Sequence, residues 1–143
     1  MHTNYETDFY VWTQEQASLL RSGNLSDVDI ENLAEEIESM GKRDKRSMVS
    51  ELIRLLSHLL KWKYQSVRRG GSWSDSIDGA REEIEALMKD NHTFDRLVPE
   101  FMETAYPKAV KAANKQTGLP ISTFPKECPW SFKEIMQEEF YPD

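Results

Sequence analysis

The sequence predicts an all-α fold: a compact bundle of about five helices around a central helix at about 44–65. An extended, proline-containing strap precedes a short C-terminal helix. Three observations carry this expectation. Apolar residues recur at three- and four-residue spacing through much of the chain. Glycines, prolines and capping residues punctuate those periodic stretches. One segment, Met48 to Tyr64, is far more apolar than the rest. At 100° per residue its apolar side chains fill an arc of about 200°, twice the usual surface stripe of ~100°. Such an arc must be covered on two sides, which makes this helix the centre of the bundle. A period near 3.6 sustained over this length argues against a strand.

Size and composition set bounds. A chain of 143 residues suggests one helical domain, 1–143. It is long enough to bury roughly 68–70% of its unfolded surface without a metal or disulfide. The single cysteine, Cys128, excludes an internal disulfide and points to a reducing compartment. The start, MHTNYETD, has neither a basic patch nor an apolar core, so no signal peptide is expected. The longest apolar run, Phe9 to Trp12, is too short to cross a membrane. A cytoplasmic protein without a membrane partner is expected.

The elements follow in order. A first helix runs from Thr7 or Asp8 to Arg21, or a short turn precedes a helix opened by a capping box of Thr13 and Gln16; either stops at Gly23, with Phe9, Trp12, Ala17 and Leu20 inward. Asp29 caps a second, which turns Ile30, Leu33, Ala34, Ile37 and Met40 to one side and ends at Gly41. Its opposite side holds Glu31, Glu35 and Glu38. Asp44 then caps the central helix, which runs to about Gln65. Residues 66–72 form a loop around Gly70 and Gly71, and Ser72 or Ser74 caps the next helix, which ends near Lys89. Thr93 to Gln116 is helical but interrupted: Pro99 suits a first turn, Pro107 kinks or divides the helix, and Gly118 ends it. Pro120, Pro125 and Pro129 make residues 119–130 the extended strap, anchored by Leu119, Ile121, Phe124 and Trp130. Ser131 and Glu134 match a capping box, and Trp130 with Ile135 a hydrophobic staple, opening a last helix to about Phe140.

The formal charge of −7 is unevenly spread. Residues 1–41 carry nine acids and one base, net −8, and residues 42–69 carry nine bases and two acids, net +7. The remaining residues carry fourteen acids and eight bases, net −6. Either acidic helices dock beside the basic one, or the basic segment meets an anionic partner. On the second reading the binding candidates are Arg54, His58, Lys61, Trp62, Arg68 and Arg69. Cations hold phosphates or carboxylates, and an aromatic ring beside them can stack on a base. On the helical wheel Trp62 and Tyr64 border the apolar arc, so both rings also suit the core.

Motifs for chemistry are missing from the sequence. A di-iron bundle needs Glu-x-x-His pairs on facing helices, and none occurs. There is no His-Glu-x-x-His and no phosphate-binding glycine loop. With only His2, His58 and His92, a histidine-rich zinc site lacks ligands, so no metal and no cofactor is expected. Cys128, between Glu127 and Pro129, has no neighbouring base to activate it and suits packing.

Several motifs together point to a family. They are Tyr5-Glu6-Thr7-Asp8-Phe9-Tyr10 with Trp12, and the run Glu31-Asn32-Leu33-Ala34-Glu35-Glu36-Ile37-Glu38-Ser39-Met40-Gly41. His58-Leu59-Leu60-Lys61-Trp62, Ser72-Trp73, Thr117-Gly118-Leu119-Pro120, Phe124-Pro125 and Cys128-Pro129-Trp130 follow. With these, nearly the whole chain resembles the bacterial family catalogued as domain of unknown function twenty-nine. The resemblance implies an all-helical fold and a bacterial source, and no activity or catalytic residue. The expected function is a non-enzymatic interaction or regulatory module that binds an acidic protein or nucleic acid through the basic helix edge. The alternative is a small enzyme, or one component of a toxin–antitoxin-like pair. A cleft joining His58, a carboxylate and Arg81 would favour the enzyme. Oligomeric state is left open.

Overall fold

Residues 4–143, which this computed structural model describes, form five α-helices and no strand. Helix α1 spans Phe9–Arg21, α2 Ile30–Tyr64, α3 Gly71–Asp90, α4 Phe94–Thr117 and α5 Phe132–Ile135. The all-α class, the central helix and the strap are as expected. No described helix is long and apolar enough to cross a membrane.

The stop expected at Gly41 is absent. The second and central helices are one, α2, of 35 residues. Glycine in a helix interior costs only about 1 kcal/mol relative to alanine, whereas stopping and restarting requires a second nucleation. Glu35, Glu36, Glu38, Lys42, Arg43, Lys45 and Arg46 around it are all good helix formers. Gly41 keeps a negative φ, and Asp44, free of a capping role, accepts from Asn91 Nδ2 at 2.9 Å.

The chain divides within α2 into two compact units, residues up to Arg43 and residues from Asp44. The first holds α1 and the start of α2. Asp8 caps α1 through Val11 N, and Gly23 takes the left-handed conformation (φ 76°) that releases the chain. Trp12 is buried, and its Nε1–H donates to Asp29 Oδ2 at 3.1 Å. Buried Gln16 accepts from Asp29 N at 2.7 Å, and Asp29 accepts from Asn32 N at the start of α2. Its bonds to Asn32 and Trp12 hold the Asp29 carboxyl below its usual pKa. The expected inward placement holds for Trp12 alone in full: Phe9 and Leu20 are half-exposed, as are Ile30, Ile37 and Met40. Their stripe exists, but no other described element covers it.

The second unit has the dense core. Met48, Leu52, Leu55, Leu56, Leu59 and Leu60 of α2 are fully buried, against Ile77, Ala80 and Ile84 of α3. Helix α4 contributes Ala105, Ala109 and Ala113 at four-residue spacing, small side chains that let helices approach closely. It is uninterrupted, contrary to the expected break at Pro107. Pro99 and Pro107 are exposed, and so are Asp95 and Glu103, whose carbonyls lose their helical donors. Water can satisfy those carbonyls, so neither proline divides the helix. Gly118 ends α4 in the left-handed region (φ 77°).

Helix α3 begins at Gly71 without a side-chain cap; the expected serine cap does not form, and Ser74 Oγ donates to Gly71 O instead. In the strap, Phe124 and Trp130 are buried and Leu119 half-buried, whereas Ile121 is exposed and anchors nothing. The Tyr106 hydroxyl donates to Pro125 O at 2.6 Å. The capping box of Ser131 and Glu134 forms as expected, but α5 ends at Ile135 rather than near Phe140. Buried Arg81 explains the early end. Its Nε, Nη1 and Nη2 donate to the carbonyls of Ile135, Glu138 and Phe140 at 2.8, 3.0 and 2.6 Å. Those three carbonyls could not all face one guanidinium along a continuing helix.

Candidate functional site

The six predicted binding residues take different roles. Arg54 pairs with Glu51 one turn back, Nη1 to Oε2 at 3.2 Å, and remains partly exposed. A Cβ at Gly79 would stand 2.8 Å from Arg54 Nη2, so that glycine leaves room for the guanidinium. His58 Nδ1 lies 2.7 Å from Arg54 O. A carbonyl can only accept, so Nδ1 carries the proton. Burial, opposed by that bond and reinforced by the charges of Lys61 and Arg54, lowers the His58 pKa.

Lys61 is buried. Its Nζ donates to Gln116 Oε1 at 2.6 Å and lies 5.3 Å from the centre of the Trp73 ring. Desolvation lowers its pKa. Trp62 packs on Tyr141, ring centres 4.8 Å apart, and the Arg69 guanidinium sits 5.4 Å over its indole. Arg69 also donates to Trp62 O at 2.6 Å and to Pro142 O at 3.3 Å, clasping the C-terminal residues. Arg68 is exposed. The predicted edge is therefore no single patch: Lys61, Trp62 and Arg69 join elements of the fold, whereas Arg54 and Arg68 present cations to water.

A second basic surface belongs to α4 and the strap. Helix α4 and the strap enclose an open cleft of about 690 Å³. Its floor is Val110, Ile121, Phe124 and Pro125 beside Tyr106 and Pro107, and its rim is Lys108, Lys111 and Lys126. No acidic residue lines it. Burial pushes the Tyr106 pKa up to about 12, so its hydroxyl stays protonated and bound to Pro125 O. A neighbouring cleft of about 380 Å³, which includes Lys45, Arg46, Val49, Ile53, Phe101 and one acid, Glu100, shares Lys108 as its border. Five exposed cations, from α2, α4 and the strap, thus surround apolar floors.

The charge count over residues 70–143 concealed this surface, because fourteen acids there outweigh eight bases. A finer signal was present: Lys108, Lys111 and Lys115 recur at three- and four-residue spacing, which stacks them along one side of a helix.

His58 does not line the cleft beside Arg81. The polar cleft beside Arg81 is lined by Asp78, Glu82, Glu85, Met136 and Glu138 as well. Cys128 is half-buried, its Sγ 3.3 Å from Trp130 O, and burial raises its pKa, away from the reactive thiolate. Among the described residues, no group of three or more histidine, cysteine or acidic side chains is placed to hold a metal ion.

The family model described as Domain of unknown function DUF29 matches residues 4–141. The chain belongs to that family. No curated protein and no solved structure matches it.

Proposed function

We propose that this member of the family is a protein-interaction module whose second unit receives an acidic, partly apolar segment of a partner protein. The observation that carries this reading is the cleft between α4 and the strap, with an apolar floor and a rim of lysines free of acids. A segment that interleaves carboxylates with aliphatic side chains matches both features. Nucleic acid matches less well. The rings at the floor, Tyr106 and Phe124, are buried rather than offered for base stacking. The chain's charge of −7 also opposes a polyphosphate away from the patch.

The predicted α2 edge enters this reading only in reduced form: Arg54 and Arg68 keep their cations in water, and neither lines the cleft. Its other members, His58, Lys61, Trp62 and Arg69, make the internal contacts described above. The proposed setting is the bacterial cytoplasm, which rests on the lone thiol and on the family resemblance. The alternative, a small enzyme, needs His58, a carboxylate and Arg81 around one ligand. The Arg81 guanidinium is instead engaged by three backbone carbonyls.

A photo-crosslinking residue at exposed Ser122, on the cleft wall, tests the proposal in cells of the native host. The expected adducts are peptides rich in Asp or Glu with interspersed aliphatic residues, and they disappear when Lys108 and Lys111 are changed to Glu. Adducts with nucleic acid only, or labelling unchanged by the charge reversal, would overturn it.

A further inference from the structure

Eight of the ten large apolar side chains exposed among the described residues lie at or before Met40. Four of them, Phe9, Leu20, Ile37 and Met40, line an open groove of about 360 Å³ between α1 and the start of α2. Phe9, Trp12 and Leu20 line it from α1, and Leu33, Ile37 and Met40 from α2. With Gln16 between Trp12 and Leu20, each set follows three- and four-residue spacing, so each forms a continuous stripe on its helix. Two helices sharing an apolar groove are half of a four-helix bundle.

Charge says what fits the other half. At 100° per residue, Glu31, Glu35 and Glu38 fall on the side of α2 opposite Leu33, Ile37 and Met40. The acids that dominate this unit therefore do not face the groove. Within it stand one acid, Glu36, and one base, Arg43, on the same stripe of α2. They are roughly 10 Å apart along the axis. A stripe carrying one charge of each sign is complementary to itself when turned end for end.

We propose that two copies of the chain pair through this groove about a two-fold axis, their α2 stripes antiparallel and crossing near Met40. That crossing sets Glu36 of each copy opposite Arg43 of the other, and Ile37 and Met40 pack between the two charge pairs. Such an interface is isologous, the commonest kind in soluble homodimers. It also answers a deficit of the unit. Units near or below about 40 residues usually need a disulfide, metal or oligomerisation to hold together. This one buries only Trp12 and Gln16 among its described side chains. The proposal is independent of the α4–strap cleft, which lies in the other unit.

Sedimentation velocity on the full chain tests it. The mass is expected to move from 16.7 kDa towards twice that value as concentration rises through the micromolar range. Ile37→Glu and Met40→Glu change exposed positions, so helix content should be kept, and each should weaken dimerisation at least about tenfold. Arg43→Glu should weaken it as well, and Lys42→Glu, on the far side of α2, should not. Glu36 also accepts a hydrogen bond from the Tyr5 hydroxyl, so Arg43→Glu is the cleaner single change. The double variant Glu36→Arg, Arg43→Glu should dimerise more tightly than Arg43→Glu alone. Three results overturn the proposal: wild-type protein that stays monomeric up to about 100 μM, dimerisation indifferent to Ile37→Glu, or a double variant no tighter than the single. A groove left open in a monomer would then await a foreign helix.

Discussion

Arg81 illustrates how one side chain can determine where a helix stops. Three of its N–H groups reach carbonyls spread from Ile135 to Phe140, and the head group is buried. Hydrogen bonds to a charged group contribute about 1.5–3 kcal/mol each, although losses of neighbouring bonds do not add. Arg81→Ala should therefore destabilise the protein by about 3 kcal/mol or more in urea unfolding. Arg81→Lys should recover little, because one ammonium cannot span three separated acceptors. A fully stable lysine variant would show that charge, not the planar fork, holds the C-terminal residues. His58 makes a different prediction, through pH. Its folded pKa is lowered chiefly by burial, so the unfolded chain binds the proton more readily. Stability is then complete above the ordinary value near 6.5 and declines as pH falls through it towards the lower folded value. His58→Gln keeps a donor for Arg54 O and lacks that titration. Thermal midpoints of the two proteins should diverge less at pH 5 than at pH 7.5, since the wild type alone loses this contribution. Parallel pH profiles would remove His58 from the account. The contacts themselves were not legible in the sequence: Arg81 could be named only as a possible cleft partner of His58, since its acceptors lie more than fifty residues away along the chain.

At the scale of elements, local signals were readable where the local chain decides the outcome. Ser131 with Glu134 made the capping box the spacing implied, and Gly118 and Gly23 took the left-handed turns that favour glycine. The same residue type misled at Gly41, because a glycine is a stop only when the residues beyond it do not continue the helix. The flanking glutamates, lysines and arginines do continue it. Pro107 misled for a related reason: its cost depends on which side of the helix it occupies, and its side is solvated. Gly41 supports a direct test. It is exposed within α2, its φ is not left-handed, and a Cβ there meets nothing within 4 Å. Gly41→Ala should therefore raise stability by about 0.5–1 kcal/mol, by removing backbone freedom from the unfolded chain. A loss of stability on that change would mean that α2 must bend at this position, and the continuous helix would need another explanation.

For the whole molecule, the sequence displayed three amphipathic stripes, on α1, on the start of α2 and, widest of the three, on its second half. Periodicity reports that a helix has an apolar side; it does not report whether anything covers that side. Only the third stripe meets enough partners to vanish from solvent, since α3, α4 and the strap all converge on it. The first two form a groove that stays open, which is why Phe9, Leu20, Ile37 and Met40 read as core and are half-exposed. The two units should therefore differ in local stability. Amides protected by many buried contacts open only with the whole fold, whereas those in sparsely packed segments open locally. Hydrogen exchange on dilute protein should find amides of residues 52–60 slowest and those of α1 markedly faster. Raising the concentration should slow exchange in α1 and in residues 30–43 if a second copy covers the groove, and leave residues 52–60 as they were. Uniform protection across both units in dilute protein would show that Trp12, Gln16 and Asp29 suffice to hold the first unit, and that its apolar stripe needs no cover to persist.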